Sequence, residues 1–139
     1  MKEITFTKTK LKIISTEGGN VLHGYLQSNP DKIDIQEVYF STIKMNQIRG
    51  WKMHKTMTVN LVVPMGKVKV HLIQENALDK KYERFEETLS QNPYFRLTIP
   101  PGFWFAFEGL AKSESLICNI ADLPHDPEEI CRKDFNFFL

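Results

Sequence analysis

The sequence has two cysteines in 139 residues, Cys118 and Cys131, too few for a disulfide framework. They read as reduced thiols, and the expected location is the cytoplasm. Long apolar runs are also missing. No stretch approaches the roughly 18 apolar residues of a membrane span. The opening "MKEITFTKTKLKIIS" alternates and lacks the apolar block of a signal peptide. Charge of one sign is missing as well. Lys and Arg total 18 against 17 Asp and Glu, for a net charge of +1. Such balance gives no electrostatic case for nucleic acid or an anionic membrane as partner. Cofactor signatures are lacking too: there is no Gly-x-Gly-x-x-Gly, no P-loop and no serine elbow. Histidine is scarce, at four residues. A transition metal needs several converging ligands, whereas His54 has Lys52 two residues before it and faces Phe103, Phe105 and Phe107 on a later strand. No metal and no cofactor are expected.

What is present is alternation with a period of two. "ITFTKTKLKII", "VLHGYLQ", "IQEVYFSTI", "KTMTVNLVVP", "GKVKVHLIQ", "YFRLTIP", "GFWFAFEGL" and "SLICNIA" read as strands. "RFEETLS" alternates at Phe85, Glu87 and Leu89 and is read as one more. Turn signals separate them: Gly18-Gly19, Pro30-Asp31, a stop at Pro64, and Pro100-Pro101-Gly102. About nine short strands at regular spacing predict an all-β sandwich or barrel, in one domain over residues 1–139. The tail "PHDPEEICRKDFNFFL" suits one short helix, with Asp126 as cap, Pro127 in the first turn, and Glu128 and Glu129 complementing the dipole.

Chemistry concentrates in "IRGWKMHK". Lys52 and His54 share a strand face, and Arg49 lies close by. A histidine moves protons near neutral pH, an ammonium stabilises an oxyanion, and a guanidinium grips phosphate or carboxylate. Two neighbouring cations also lower the histidine's basicity and keep more of it neutral. If the polar strand faces line a hollow, Lys52, His54, Asn60, Arg96, Glu108 and Asn119 gather around it. The competing reading makes the same faces a solvated surface. Trp104 and Tyr94 are candidates to stack on a ring, and Tyr39, Tyr94 and Glu108 to return a proton. Asp134 is a candidate to orient His54, provided the tail folds back.

The same residues carry a family resemblance. "EVYFSTIKMNQIRGWKMHK" resembles the region of the R-G-x-H-x-H-K motif of bacterial dTDP-sugar 3,4-ketoisomerases. "TIPPGFWFAF" resembles the I-P-P-G-F-x-x-G-F turn of dTDP-4-dehydrorhamnose 3,5-epimerases, and the tail is similar to that of the ketoisomerases. The resemblance implies a double-stranded β-helix (cupin jelly roll) ending in a short helix or extended tail. It further implies a homodimer and metal-free acid–base chemistry on a dTDP-4-keto-6-deoxy sugar of polysaccharide biosynthesis. On that reading His54 is the base, Lys52 stabilises the enolate, and Arg49 and Arg96 contact the diphosphate. The sequence departs from the pattern, because Lys52 replaces the first motif histidine and no phenol stands at Cys118 or Asn119. Two other outcomes stay open: a non-catalytic cupin that binds a carbohydrate or nucleotide sugar, and a scaffold without a ligand.

Overall fold

A computed structural model describes residues 5–28 and 32–138. The turn expected at Pro30-Asp31 lies outside the described residues. Twelve strands follow one another: β1 Thr7–Lys10, β2 Ile13–Thr16, β3 Gly19–Leu22, β4 Glu37–Ile43, β5 Ile48–His54, β6 Val59–Met65, β7 Val68–Glu75, β8 Tyr82–Leu89, β9 Phe95–Ile99, β10 Phe103–Gly109, β11 Ser115–Ala121 and β12 Ile130–Lys133. They form two five-stranded antiparallel sheets, ordered β1-β9-β6-β11-β4 and β12-β5-β10-β7-β8, and a β2-β3 hairpin. This is the jelly roll that the alternation and the resemblance imply. Among the described residues no helix is long and apolar enough to cross a membrane.

The core lies between the two large sheets. Val59, Leu61 and Val63 of β6, Leu97 and Ile99 of β9, and Ile117 of β11 meet Val68, Val70 and Leu72 of β7 and Phe103, Phe105 and Phe107 of β10. All are nearly inaccessible to water, so each contributes on the order of 2 kcal/mol of apolar burial. The opposite face of β10 carries Trp104 and Ala106, packed with Trp51 and Ile73 and covered by Phe135 and Phe138 of the tail.

Three expectations shift. Pro64 does not stop its strand. It stands inside β6 where the pairing with β11 slips between Leu116 and Cys118, a bulge that needs no donor from proline. The long first strand divides into β1 and β2, which join different sheets. The expected short helix is a single 3-10 turn, Pro127–Glu129. Asp126 caps it, its carboxylate accepting from the Glu128 N–H at 3.1 Å, and the chain then extends at once into β12.

Candidate active site

The bulge that interrupts the β5–β10 pairing sets the geometry of the site. Lys52 stands opposite Phe105 and Arg49 opposite Phe107, so both cations share the interior face with the phenyl rings. Gly50 lies at the irregularity and is gripped by the tail, since a Cβ there would sit 3.2 Å from the Lys133 carbonyl oxygen. From the facing sheet, Tyr39 and Ser41 of β4 and Asn119 of β11 point inward. Together with Arg132 of β12 these groups line a cavity of about 330 Å³ whose floor is Phe105, Ala106 and Phe107. A second cavity of about 280 Å³ shares Tyr39, Lys52 and Arg132 and adds Glu37, His125 and Ile130. One end of the barrel is therefore filled core, and the other is hollow and cationic.

His54 is buried beside these cavities, only 3% exposed, and its ring stacks on Phe105 at 5.8 Å between centroids. It does not itself line either hollow; Lys52 lines both, and Phe105, on which the ring stacks, lines the first. Its Nδ1 lies 2.6 Å from Glu129 Oε1. The other Glu129 oxygen accepts from the backbone N–H groups of Thr56 at 2.7 Å and Met57 at 3.0 Å. Burial pushes the Glu129 carboxyl up, but those two donors and the imidazole outweigh it and hold it at about 2. Glu129 is thus a carboxylate at any ordinary pH. It fixes the proton on Nδ1 and leaves Nε2 as the basic nitrogen. That Nε2 is buried and has no hydrogen-bond partner among the described residues. An orphaned acceptor of this kind costs about 1–3 kcal/mol, a cost that functional sites tolerate. Burial lowers the ring's basicity, Glu129 offsets part of this, and Lys52 and His125 lower it further, so the imidazole is neutral near pH 7.

Lys52 is held below the normal lysine range, at about 8, by burial first and then by the charges of Arg132 and Arg49. Tyr39 is raised by burial and by Glu37, with Arg49 opposing, so its phenol keeps its proton. Among the described residues, no three His, Cys, Asp or Glu side chains converge as a metal-binding set.

The structure brings together Arg49, Lys52, His54, Tyr39 and Asn119. It separates the remaining candidates. Asn60 and Arg96 lie on the outer face of the first sheet, where Arg96 Nε donates to Asn60 Oδ1 at 3.2 Å and the guanidinium covers the Tyr25 ring at 5.2 Å. Tyr94 also belongs to that face and donates its hydroxyl to the His23 carbonyl at 2.7 Å. Trp104 and Glu108 lie on the outer face of the second sheet, the former under Phe138 and the latter 3.0 Å from His71 Nε2. The physical reason is parity. β5 ends at His54, and the chain crosses to the other sheet through residues 55–58 before β6 begins, so Asn60 does not inherit the orientation of His54. On β10, the inward turn of Phe103, Phe105 and Phe107 forces Trp104 and Glu108 outward.

Two site residues escaped sequence reasoning, Glu129 and Arg132. The acidic pair after Pro127 reads as helix-dipole complement, yet Glu129 ends its 3-10 turn and reaches His54 because Ile130 pairs with that histidine across β12–β5. Arg132 then falls opposite Lys52. The usable signal was the alternation in "ICRK", too short at four residues to mark a strand by itself. Asp134 has no contact with His54; its carbonyl accepts from the Phe137 N–H at 3.0 Å.

No protein-family model matches the chain, and no curated protein matches it. Solved structures do. A dTDP sugar isomerase from Desulfovibrio desulfuricans is 29% identical with a TM-score of 0.90, over 95% of this chain and 85% of that one. The sugar 3,4-ketoisomerase QdtA from Thermoanaerobacterium thermosaccharolyticum, in complex with TDP, is 22% identical with a TM-score of 0.76, over 96% and 90%. A dTDP-4-dehydrorhamnose 3,5-epimerase from Bacillus anthracis, with TDP and PPi bound, is 14% identical with a TM-score of 0.78, over 91% and 77%. The last two show the fold; the first extends the likeness to sequence. With an interior histidine–carboxylate pair beside a cationic hollow in a jelly roll, the chain is similar in fold and in sequence to a dTDP sugar isomerase, and in fold to a sugar 3,4-ketoisomerase and a 3,5-epimerase.

Proposed function

We propose that this chain is a nucleotide-sugar isomerase that acts, without a metal, on a 4-keto-6-deoxy sugar carried by dTDP. The observation that carries the reading is the buried His54–Glu129 pair. It leaves one basic nitrogen without a partner among the described residues, on the same strand face as a cation that opens on the hollow. The identity of the D. desulfuricans neighbour as a dTDP sugar isomerase and the TDP bound to QdtA support the choice of substrate class.

A ketone acidifies the C–H bond beside it. His54 Nε2 removes that proton, while Glu129 keeps the imidazole in the required tautomer and stabilises the imidazolium that forms. Lys52 faces the carbonyl oxygen, where negative charge develops. Arg49 contacts the diphosphate, and Arg132, on the shared wall of the two cavities, takes the place that Arg96 was expected to fill. Tyr39 is protonated and lines both hollows, which suits it to return the proton.

Incubation with dTDP-4-keto-6-deoxyglucose in heavy water, followed by proton NMR, tests the reading. Loss of a ring-proton signal next to the ketone, abolished in His54→Ala, is the expected result. Ligand-induced shifts without exchange would establish the non-catalytic binding protein instead.

The working unit is a single cytoplasmic cupin domain, paired as a homodimer and serving polysaccharide biosynthesis. The outer face of the first sheet exposes Val38 by 50%, Phe40 by 64% and Met65 by 59%, an apolar patch suited to a second copy. Light scattering that returns the mass of one chain, 16.2 kDa, would refute the pairing.

A further inference from the structure

The two hollows differ in charge, and strand register sets their order. β5 runs from Arg49 through Lys52 to His54, and on β12 Arg132 pairs with Lys52 and Ile130 with His54. Arg49 lines the first cavity, Ile130 the second, and Lys52 and Arg132 both. The facing strand β4 repeats this order, with Ser41 in the first cavity, Tyr39 in both and Glu37 in the second. His54 lies at the junction, stacked on Phe105 of the first floor and level with Ile130 of the second.

Among the described residues, Glu37 is the one carboxylate in either lining. Alternation along β4 turns it inward, half-buried, while Val38 and Phe40 face out. One of its oxygens accepts from the His125 backbone N–H at 3.0 Å. That is the only hydrogen bond of the carboxylate among the described residues, and it makes no ion pair there, with Lys52 and Arg132 included. An ionised carboxylate has about four acceptor positions, so a single backbone donor leaves most of them open to the hollow. Such a group repels phosphate and accepts from hydroxyl.

We propose that Glu37 selects the sugar, its carboxylate accepting from a ring hydroxyl of the substrate in the second cavity. The inference rests on the isomerase reading above. The diphosphate then lies toward Arg49, the reacting carbons lie at the wall shared by Lys52 and Tyr39, and the far side of the ring meets Glu37. A diphosphate drawn into the second hollow would face that charge, so Glu37 also sets the direction in which the substrate enters. A sugar without the hydroxyl leaves a half-buried carboxylate poorly solvated, and a sugar with an acid in its place is repelled.

Two ligands separate the ends of the site: dTDP, which has no sugar, and dTDP-4-keto-6-deoxyglucose. Both are titrated by calorimetry into His54→Ala protein, which does not turn the sugar over, with and without Glu37→Gln or Glu37→Ala. Affinity for dTDP should hold within about threefold, while the sugar nucleotide weakens by about 10- to 100-fold in Glu37→Ala and by less in Glu37→Gln, whose amide oxygen still accepts. With Glu37 intact, the 2-deoxy or the 3-deoxy analogue of the sugar nucleotide should lose a similar factor. Equal weakening of both ligands overturns the proposal and leaves Glu37 as a latch for the segment that carries His125. Undiminished binding of the sugar nucleotide to Glu37→Ala, or full affinity for both deoxy analogues, overturns it as well. In each of these cases, proton exchange by the wild-type protein leaves the isomerase reading standing. Selective loss of sugar binding in a protein that shows no exchange supports Glu37 as the selector and overturns the isomerase reading. Failure of the wild-type protein to bind either ligand overturns both.

Discussion

Replacing Glu129 with glutamine preserves the shape of the group that holds His54 and removes only its charge. The fall of the carboxyl from 4.5 to about 2 corresponds to about 3 kcal/mol of stability, at 1.36 kcal/mol per decade. With the amide oxygen in the place of Oε2, both contacts with the backbone N–H groups of Thr56 and Met57 survive without the charge that strengthens them, and the amide nitrogen faces His54 Nδ1, so the expected loss at pH 7 is about 1–2 kcal/mol. The sign follows from the depressed value. The contribution is fully present above pH 4.5 and disappears as pH falls toward 2, so the variant and the parent should converge there in urea titrations. His54 provides a second readout. Burial already lowers its basicity and Glu129 offsets part of that, so Glu129→Gln should lower the ring's pKa further when followed by NMR. Exchange of the substrate proton should slow by about 10²–10⁴, the range of a misplaced tautomer and a lost general base. Exchange within threefold of the parent, or an unmoved His54 titration, would refute the claim that this carboxylate sets the base.

Other consequences are checked more simply. Lys52→Met should abolish turnover yet raise stability by about 1–2 kcal/mol in urea denaturation, because it removes a half-buried cation crowded by Arg132 and Arg49. Lys52 acts as an ammonium, so the rate should fall as pH rises through about 8, and a pH–rate profile flat from 6 to 9 would contradict it. Asn60→Ala should cost about 1–3 kcal/mol by removing the acceptor that Arg96 Nε and Thr98 Oγ1 share, while leaving exchange within a factor of two; a large loss of rate would return Asn60 to the site. Phe135→Ala removes the ring stacked on Trp51 at 5.4 Å and should destabilise by about 2 kcal/mol, with amide exchange accelerated first in β12, the strand that carries Arg132.

Alternation alone determined most of the architecture. A residue on a strand has two orientations, so the phenylalanines at 103, 105 and 107 declared one face of β10 apolar, and "TIPPGF" declared the turn before it. The pairing of Lys52 and His54 on one face was legible for the same reason, since two residues on one unbroken strand keep a fixed relation whatever they pack against. What the sequence did not contain was the relation between strands. Asn60 and Arg96 looked like members of the same polar set, yet the crossing at residues 55–58 reset the parity for Asn60, and the inward turn of Leu97 and Ile99 on β9 put Arg96 on the outer face of the same sheet. Glu129 and Arg132 reached the site only through antiparallel register with β5, at contacts 75 and 80 residues distant from His54 and Lys52, which no local pattern records. Local stereochemistry fixes which side chains share a face. Only the packing of sheets decides whether that face encloses a hollow, and which distant carboxylate arrives to complete it.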